Sequence, residues 1–190
     1  MRISIEKAIA EAVHVDVHMR VHKNASFDDP PEVVILEASP GWLLARLLEG
    51  GHVPNGYLAI SRGHVRHLET TKFHAFRKRM LEAEGIRPAG LRAPAIDLQS
   101  AASILRCLKR RGNLAMILCE TYEEWHSIYC RIERVDERSA TLLGFDGAGN
   151  WQHRPKRLDL DDITRIRFGS RYLQLFRKYL SKTSASQNAS

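Results

Sequence analysis

The sequence predicts a β-rich α+β fold, built from two small units of bent antiparallel strands with short flanking helices. Apolar and polar residues alternate in short runs, most strictly over 13–22, as expected for strands with one buried face. Clusters of Gly, Pro, Asp and Asn separate these runs. The pattern of residues 157–181, two strand runs and then an amphipathic helix, also occurs at 57–81. These three observations favour two related β-rich halves.

The similarity between 57–81 and 157–181 suggests a diverged internal duplication. The match slips in the middle, where Val65 needs a two-residue shift to reach Ile163. A duplication predicts that each half ends in a short helix carrying Phe-Arg-Lys. At an offset of one hundred, the matched pairs are Leu58 and Leu158, Ile60 and Leu160, Leu68 and Phe168, Phe76 and Phe176, Arg77 and Arg177, and Lys78 and Lys178.

Composition indicates a globular protein, which we expect to be soluble and cytoplasmic. Hydrophobic residues make up 44% and charged residues 27% of the 190 residues, which is too apolar for a disordered chain. No apolar run approaches the roughly 18 residues that span a bilayer. Glu6 and Glu11 interrupt the N-terminal apolar stretch, which argues against a secretory signal. Cys107, Cys119 and Cys130 are odd in number and form no CxxC pair, so we expect reduced thiols.

The formal net charge of +7 is unevenly distributed. The part from Ile96 onward carries +5 and the first 95 residues carry +2. Acids are interspersed with the basic residues throughout, so the excess is modest. It nevertheless makes a polyanion a candidate ligand of the second half.

The first half begins with a predicted short helix in 1–12 and a strand over 13–22. His14, His18 and His22 share the polar face of that strand. Residues four apart on a strand lie about 13 Å from each other, so we predict that these histidines do not form a metal site. The following segments are predicted as a strand at Glu32–Ala38, a strand or one helical turn at Trp42–Glu49, a strand at Tyr57–Ile60, and a helix capped by Thr70 or Thr71 and ending near Glu84.

The second half is predicted as a helix, about five strands and a final helix. Asp97 is the expected N-cap of a helix with an apolar face from Leu98 to Leu108, and Lys109, Arg110 and Arg111 form its last turn. The predicted strands are 114–120, 126–135, 140–145 and a pair within 157–168. The expected domains are 1–31, an N-terminal segment; 32–84, a shortened β unit with a C-terminal helix; 85–95, a linker; 96–180, a unit with helices at both ends; and 181–190, a disordered tail.

A helix followed by about five short, bent strands resembles the Sm-like and SH3-like small β-barrels. The resemblance covers Ile96 to Tyr172, with a shortened version over Glu32 to Glu84. The run ATLLGFDGAGN followed by RLDLDDITRIRF is also similar to WYL-type regulatory domains. The resemblance implies two barrel-like units in tandem. The Arg-Gly of the second Sm motif is spaced by one residue here, as Arg167-Phe168-Gly169, so no binding residue is carried over.

No motif indicates an enzyme. The chain contains no GxSxG, HExxH, P-loop or dinucleotide-binding fingerprint. Asp159, Asp161 and Asp162 resemble a Mg²⁺ cluster, but Asx residues are equally typical of the turn before Ile163. We therefore expect a non-enzymatic module with no cofactor and no metal.

Two binding functions remain after enzymes are set aside. The first is nucleic-acid binding, with RNA or DNA held by basic side chains and bases stacked on Trp151 or Tyr172. The alternative is a protein partner or self-association through sheet edges, with Trp125 and Trp151 as anchors. The residues expected to bind nucleic acid are Lys109, Arg110, Arg111, Trp151, Arg165, Arg167, Arg171, Arg177 and Lys178.

Overall fold

The described residues form one open antiparallel sheet of eleven strands together with four α-helices. The computed structural model describes residues 1–20, 30–50, 53–86, 92–120 and 126–180. Our expectations for His22, for Trp125, for part of the linker and for the C-terminal tail lie outside these residues. Within them, no helix is both long and apolar enough to cross a membrane.

The helices and strands follow the predicted β-rich pattern closely. The strands are β1 (Arg2–Ile3), β2 (His14–Met19), β3 (Glu32–Ala38), β4 (Trp42–Glu49), β5 (Val53–Ser61), β6 (Val65–Glu69), β7 (Leu114–Cys119), β8 (His126–Val135), β9 (Ser139–Gly144), β10 (Lys156–Asp159) and β11 (Arg165–Phe168). The helices are α1 (Ile5–Ala10), α2 (Lys72–Ala83), α3 (Ala101–Arg110) and α4 (Arg171–Tyr179). Short 3₁₀ turns precede β6 (Arg62–His64) and β11 (Leu160–Asp162).

The strand order is β1-β6-β2-β3-β4-β5-β11-β7-β8-β9-β10. In the first half, β2 to β5 form a meander and β6 returns to pair with β2. In the second half, β7 to β10 form a meander and β11 returns to pair with β7. The halves join where β5 pairs with β11, with Ile60 opposite Arg165 and Tyr57 opposite Phe168.

The two halves bury their cores on opposite faces of this sheet. Along β4 and β5, Leu43 and Leu58 face the first core, whereas Leu44 and Ala59 face the second. Alternation of side chains along a strand allows one strand to serve both cores. Ile166 of β11 also lies in the second core. The central strands are consequently covered on both faces.

The N-terminal strand belongs to the same sheet as the strands that follow residue 32. β2 pairs with both β3 and β6, so the sheet has no division at 31. Trp42–Glu49, for which a helical turn was the alternative, is a strand. Its neighbour β5 contains Gly56 at φ +80°, where a Cβ atom would lie 2.6 Å from the backbone nitrogen of Ser170. Glycine is required there because β5 approaches the start of α4 so closely.

The N-cap of α3 differs from the predicted one. Ser100, not Asp97, caps the helix by accepting a hydrogen bond from the Ser103 backbone NH. Asp97 lies three residues before this cap. Its carboxylate accepts a hydrogen bond from the Gln99 backbone NH, in the turn that leads into the helix. A Ser cap serves the first turn as well as an Asp cap does, so composition alone could not choose between them.

Candidate nucleic-acid interface

Helix α4 lies on the outer face of the second half, on an aromatic cluster that holds it in place. Leu173 and Leu180 of α4 are buried there. The Phe176 ring lies 5.1 Å from Phe145 and 4.5 Å from Tyr172, and Tyr172 lies 5.2 Å from Tyr129. Aromatic pairs at these separations contribute beyond their buried area. The cluster therefore fixes which side of α4 faces solvent.

The solvent side of α4 meets the end of α3 at a surface that we call the basic corner. A hydrogen bond joins the two helices at this point. The Arg177 Nη1 donates it, at 3.4 Å, to the Oδ1 of Asn113, which lies in the turn between α3 and β7. Gly112 in the same turn has φ +61° and ends α3. The basic corner consists of Lys109, Arg110, Arg111, Arg177 and Lys178, all exposed.

Two arginines of the basic corner are oriented by contacts with α3 and the chain before it. The Arg111 Nη2 donates to the Ala95 carbonyl at 2.6 Å. The Arg110 Nη2 lies 3.2 Å from the Cys107 sulfur. Neither contact involves a carboxylate. In the described ranges, neither guanidinium is paired with a carboxylate, and both keep further N–H donors for an anion.

Helices α3 and α4 contain no acidic residue. A nearby carboxylate, that of Asp146 in the β9–β10 turn, accepts hydrogen bonds from the backbone NH groups of Ala148 and Asn150, both at 2.9 Å. These hydrogen bonds lower the pKa of Asp146, with Asn150 contributing most. Asp146 therefore stays ionised, but its oxygens are directed into their own turn.

Arg171 extends the basic surface along α4. Its side chain is exposed, and its backbone NH donates to the Asn55 Oδ1 at 2.7 Å, which ties the start of α4 to β5. Arg171 and Lys178 are seven residues apart, so they share one side of the helix about 10 Å apart. Arg177 thus meets the end of α3, while Arg171 and Lys178 lie on an adjoining side of α4.

Arg165 does not belong to this surface, which corrects our expectation. Its side chain is 7% exposed and forms a two-pronged ion pair with Glu120, through Nε to Oε2 at 2.8 Å and through Nη2 to Oε1. The Thr164 hydroxyl donates to the same Oε2 at 2.8 Å. Arg165 lies on β11, whose polar face is covered by the first half. Its guanidinium is buried and paired with Glu120, so it is not presented to a ligand at the surface.

Arg167 is also displaced from the predicted surface. It is half-buried on the same face of β11 as Arg165, and lines a cavity of about 200 Å³ with Leu58 and Met116. Its Nε has no hydrogen-bond partner within the described part of the chain. Arg167 therefore lies between the halves.

Trp151 is half-buried rather than presented as a free stacking platform. Its ring lies edge-on to Phe145 at 5.8 Å, and the Arg131 guanidinium lies 4.7 Å above its centre. Arg131 also forms an ion pair with Glu133, with Nε and Oε1 2.6 Å apart. Trp151 therefore closes the end of the aromatic cluster.

Two exposed tyrosines of α4 offer stacking surfaces, and only one of them, Tyr172, was expected from the sequence. Tyr179 is 71% exposed and Tyr172 is 41% exposed. The Lys178 Nζ lies 5.2 Å from the centre of the Tyr179 ring. Burial, and secondarily Tyr129, raises the pKa of Tyr172, so its hydroxyl keeps its proton at neutral pH. The helical period places Tyr172 and Tyr179 together, and that signal was available from the sequence.

Comparison with known proteins gives no further guidance. No family model, no curated protein and no solved structure matches the chain.

Proposed function

We propose that this protein is a non-enzymatic module that binds single-stranded nucleic acid, RNA in particular, through the basic corner and the exposed side of α4. The observation that carries the proposal is a set of exposed basic side chains on two helices that contain no acid and that meet through Arg177 and Asn113. Uncompensated positive charge at a surface attracts phosphates and releases their counterions.

The basic corner would bind the phosphate backbone. Arg110 and Arg111 retain free N–H donors, and Arg177 is held beside them through Asn113. Arg171 and Lys178 extend the track along α4 by about two helical turns. Contacts of this kind position a strand but do not read its sequence. We therefore expect weak sequence preference.

Tyr179 and Tyr172 would supply stacking surfaces for bases. Both are exposed and lie beside the basic side chains. Base–aromatic stacking contributes about 1–3 kcal/mol per base and requires unpaired bases. This is why we favour a single strand over a duplex.

We also propose that the two halves are tandem barrel-like units related to the Sm-like or SH3-like fold. The support is the repeated order of elements: a helix, four meandering strands, a 3₁₀ turn, a fifth strand paired with the first, and a helix. Phe76-Arg77-Lys78 lies in α2 and Phe176-Arg177-Lys178 in α4, at corresponding places. The units would be 1–86 and 92–180, so that α1 and β2 belong to the first.

Separate expression of residues 1–86 and 92–180 tests this division. Two complete units should each acquire native-like circular dichroism, alone or on mixing, because β5 and β11 are the strands that join them. A failure of both pieces to fold in any combination would count against tandem units.

Fluorescence anisotropy with single-stranded RNA and duplex DNA, at two salt concentrations, tests the nucleic-acid proposal. Replacing both Arg177 and Lys178 by alanine should weaken RNA binding and lower the salt slope by about 1.4, or 0.7 for each lost phosphate contact. The matched control is Lys72→Ala with Arg79→Ala, which removes the same charge from exposed positions on α2.

Specific use of the basic corner requires the two double variants to differ. An equal loss in both would indicate nothing more than net charge. Absence of binding at low salt, where electrostatic association is strongest, would reject the proposal. Thermal unfolding of each variant distinguishes lost contacts from lost folding.

A protein partner is the second candidate, because α2 leaves an apolar side uncovered. Phe73 is 64% exposed, Phe76 57% and Met80 37%, and the helical period places them on adjoining positions. Exposed apolar patches often mark interaction surfaces. Pull-down with and without nuclease separates the two candidates, because nuclease releases only partners held through nucleic acid. Replacing Phe73 and Phe76 by serine should abolish any capture that survives nuclease.

A further inference from the structure

Two histidines and one carboxylate converge on the outer face of the first half, away from the basic corner. His18 of β2 is directly opposite His67 of β6, and Glu69 is the next residue along β6 on the same face. The ring centres of His18 and His67 lie 4.2 Å apart, with 10° between the ring planes. The Glu69 Oε2 lies 3.3 Å from the His18 Nε2 and 3.9 Å from the His67 Nε2.

The spacing of these three atoms is close to that of a metal site. One possible ligand atom from each residue lies within 4.8 Å of the other two. Ligands bound tetrahedrally to Zn²⁺ at about 2.1 Å lie about 3.4 Å from each other. Because the two rings are nearly parallel, one imidazole must rotate to aim its lone pair at a shared ion. A β-bulge between His18 and Met19, where β2 shifts against β6, is the kind of irregularity that re-aims a side chain.

The imidazole nitrogens are not committed to other protein groups. Among the described residues, the His18 Nε2 and the His67 Nδ1 have no hydrogen-bond partner of proper geometry, although both atoms are buried. The side chains of His18, His67 and Glu69 are 30%, 19% and 39% exposed, so the cluster lies at the edge of the protein surface.

We propose that His18, His67 and Glu69 form a binding site for a divalent transition metal, with Zn²⁺ as the best-fitting ion. Two imidazoles and one carboxylate are a ligand set that Zn²⁺ accepts, with a fourth position left for water. The Glu69 Oε1 faces the Met1 ammonium at 3.5 Å, which leaves Oε2 for the ion. The ligands come from two paired strands, so their spacing is maintained by the sheet.

A neighbouring cluster of the same residue types is already engaged in hydrogen bonds and ion pairs. Asp16, Glu32 and His74 also lie close together. There the His74 Nδ1 accepts a hydrogen bond from the Thr71 backbone NH, so the proton is on Nε2, which lies 3.3 Å from the Asp16 Oδ1. Glu32 is paired with Arg77 and with His14, whose Nδ1 lies 3.3 Å from the carboxylate. No lone pair of His74 remains for a metal.

The structure gives two histidines of the β2 row, His14 and His18, different partners. His14 is fully buried and paired with Glu32, whereas His18 pairs across the sheet with His67. A metal site here would use ligands from two strands. Only strand pairing reveals it.

Titration of the chelator-treated full chain with ZnCl₂, followed by calorimetry, tests the proposal. We expect one Zn²⁺ per chain, and a loss of more than about tenfold in affinity for His67→Gln and for Glu69→Gln. His153→Ala removes an exposed histidine of the second half and should leave binding unchanged. Zn²⁺ should also raise the Tm of the wild type but not of Glu69→Gln, because only the native state holds the ligands together.

Imidazole NMR spectra of the wild type provide a measurement that does not depend on any variant folding. Addition of Zn²⁺ should shift the ring signals of His18 and His67. The proposal is overturned if the wild type binds no Zn²⁺, if both glutamine variants bind with wild-type affinity, or if Zn²⁺ shifts other histidine rings and leaves these two unchanged.

Discussion

Removal of the Glu120 carboxylate should destabilise the protein strongly. Glu120 and Arg165 are both buried, with side chains 5% and 7% exposed, and are joined by two hydrogen bonds. In Glu120→Gln the guanidinium would remain in the interior without a counter-charge. Breaking a buried pair in this way costs about 3–5 kcal/mol.

The double variant Glu120→Leu with Arg165→Met isolates the cause of that loss. Replacing both members of a buried pair by apolar residues is often neutral or stabilising, so the double variant should recover most of the lost stability. The Thr164 hydroxyl would lose one acceptor but keep the Leu118 carbonyl at 3.0 Å. We therefore expect the double variant to be about as stable as the wild type, and both to be much more stable than Glu120→Gln.

Urea unfolding followed by tryptophan fluorescence measures the difference. With a slope of about 2 kcal/mol per molar urea, a loss of 3–5 kcal/mol shifts the midpoint down by about 1.5–2.5 M. A Glu120→Gln midpoint within about 0.3 M of wild type would refute the reasoning. It would mean that the Arg165 guanidinium reaches solvent and does not depend on Glu120 for its counter-charge.

Two further predictions follow from burial. Burial raises the pKa of Cys119 and of Cys130 from 9.0 to about 12, so at pH 8 only about one part in ten thousand of each is thiolate. Alkylation of these two thiols should therefore be negligible in the native protein and rapid in guanidinium chloride. Fast labelling of the native protein would contradict the burial of the two thiols. Phe176 packs on Phe145 at 5.1 Å whereas Phe76 is 57% exposed, so thermal unfolding should show a loss of about 2–4 kcal/mol for Phe176→Ala and less than about 0.5 kcal/mol for Phe76→Ala. Equal losses would indicate that the two positions are packed alike.

Local sequence signals were sufficient for most strands and helices. The alternation in His126–Val135 predicted β8 with its bounds unchanged, and Thr71 was an expected cap of α2. These features depend on side-chain period and on turn chemistry, both of which act within a few residues. The same signals placed Lys109, Arg110 and Arg111 at the end of a helix.

The sites depended on pairings that local signals do not encode. Arg177 reaches the end of α3 only because α4 folds back over β7, and His18 meets His67 only because β6 returns to β2. Strand order depends on which long-range pairings bury the most apolar surface, and a residue's own neighbours do not specify this.

Arg165 shows the difference most clearly. The sequence determined that Arg165 and Arg167 alternate with Ile166 and Phe168, and thus that they occupy the second face of β11. For a half considered alone, that second face would be the solvent face. Only the tertiary structure, by pairing β11 with β5 and placing the two cores on opposite sides of one sheet, decided that the first half covers it. A buried arginine requires a buried partner, and Glu120 provides it.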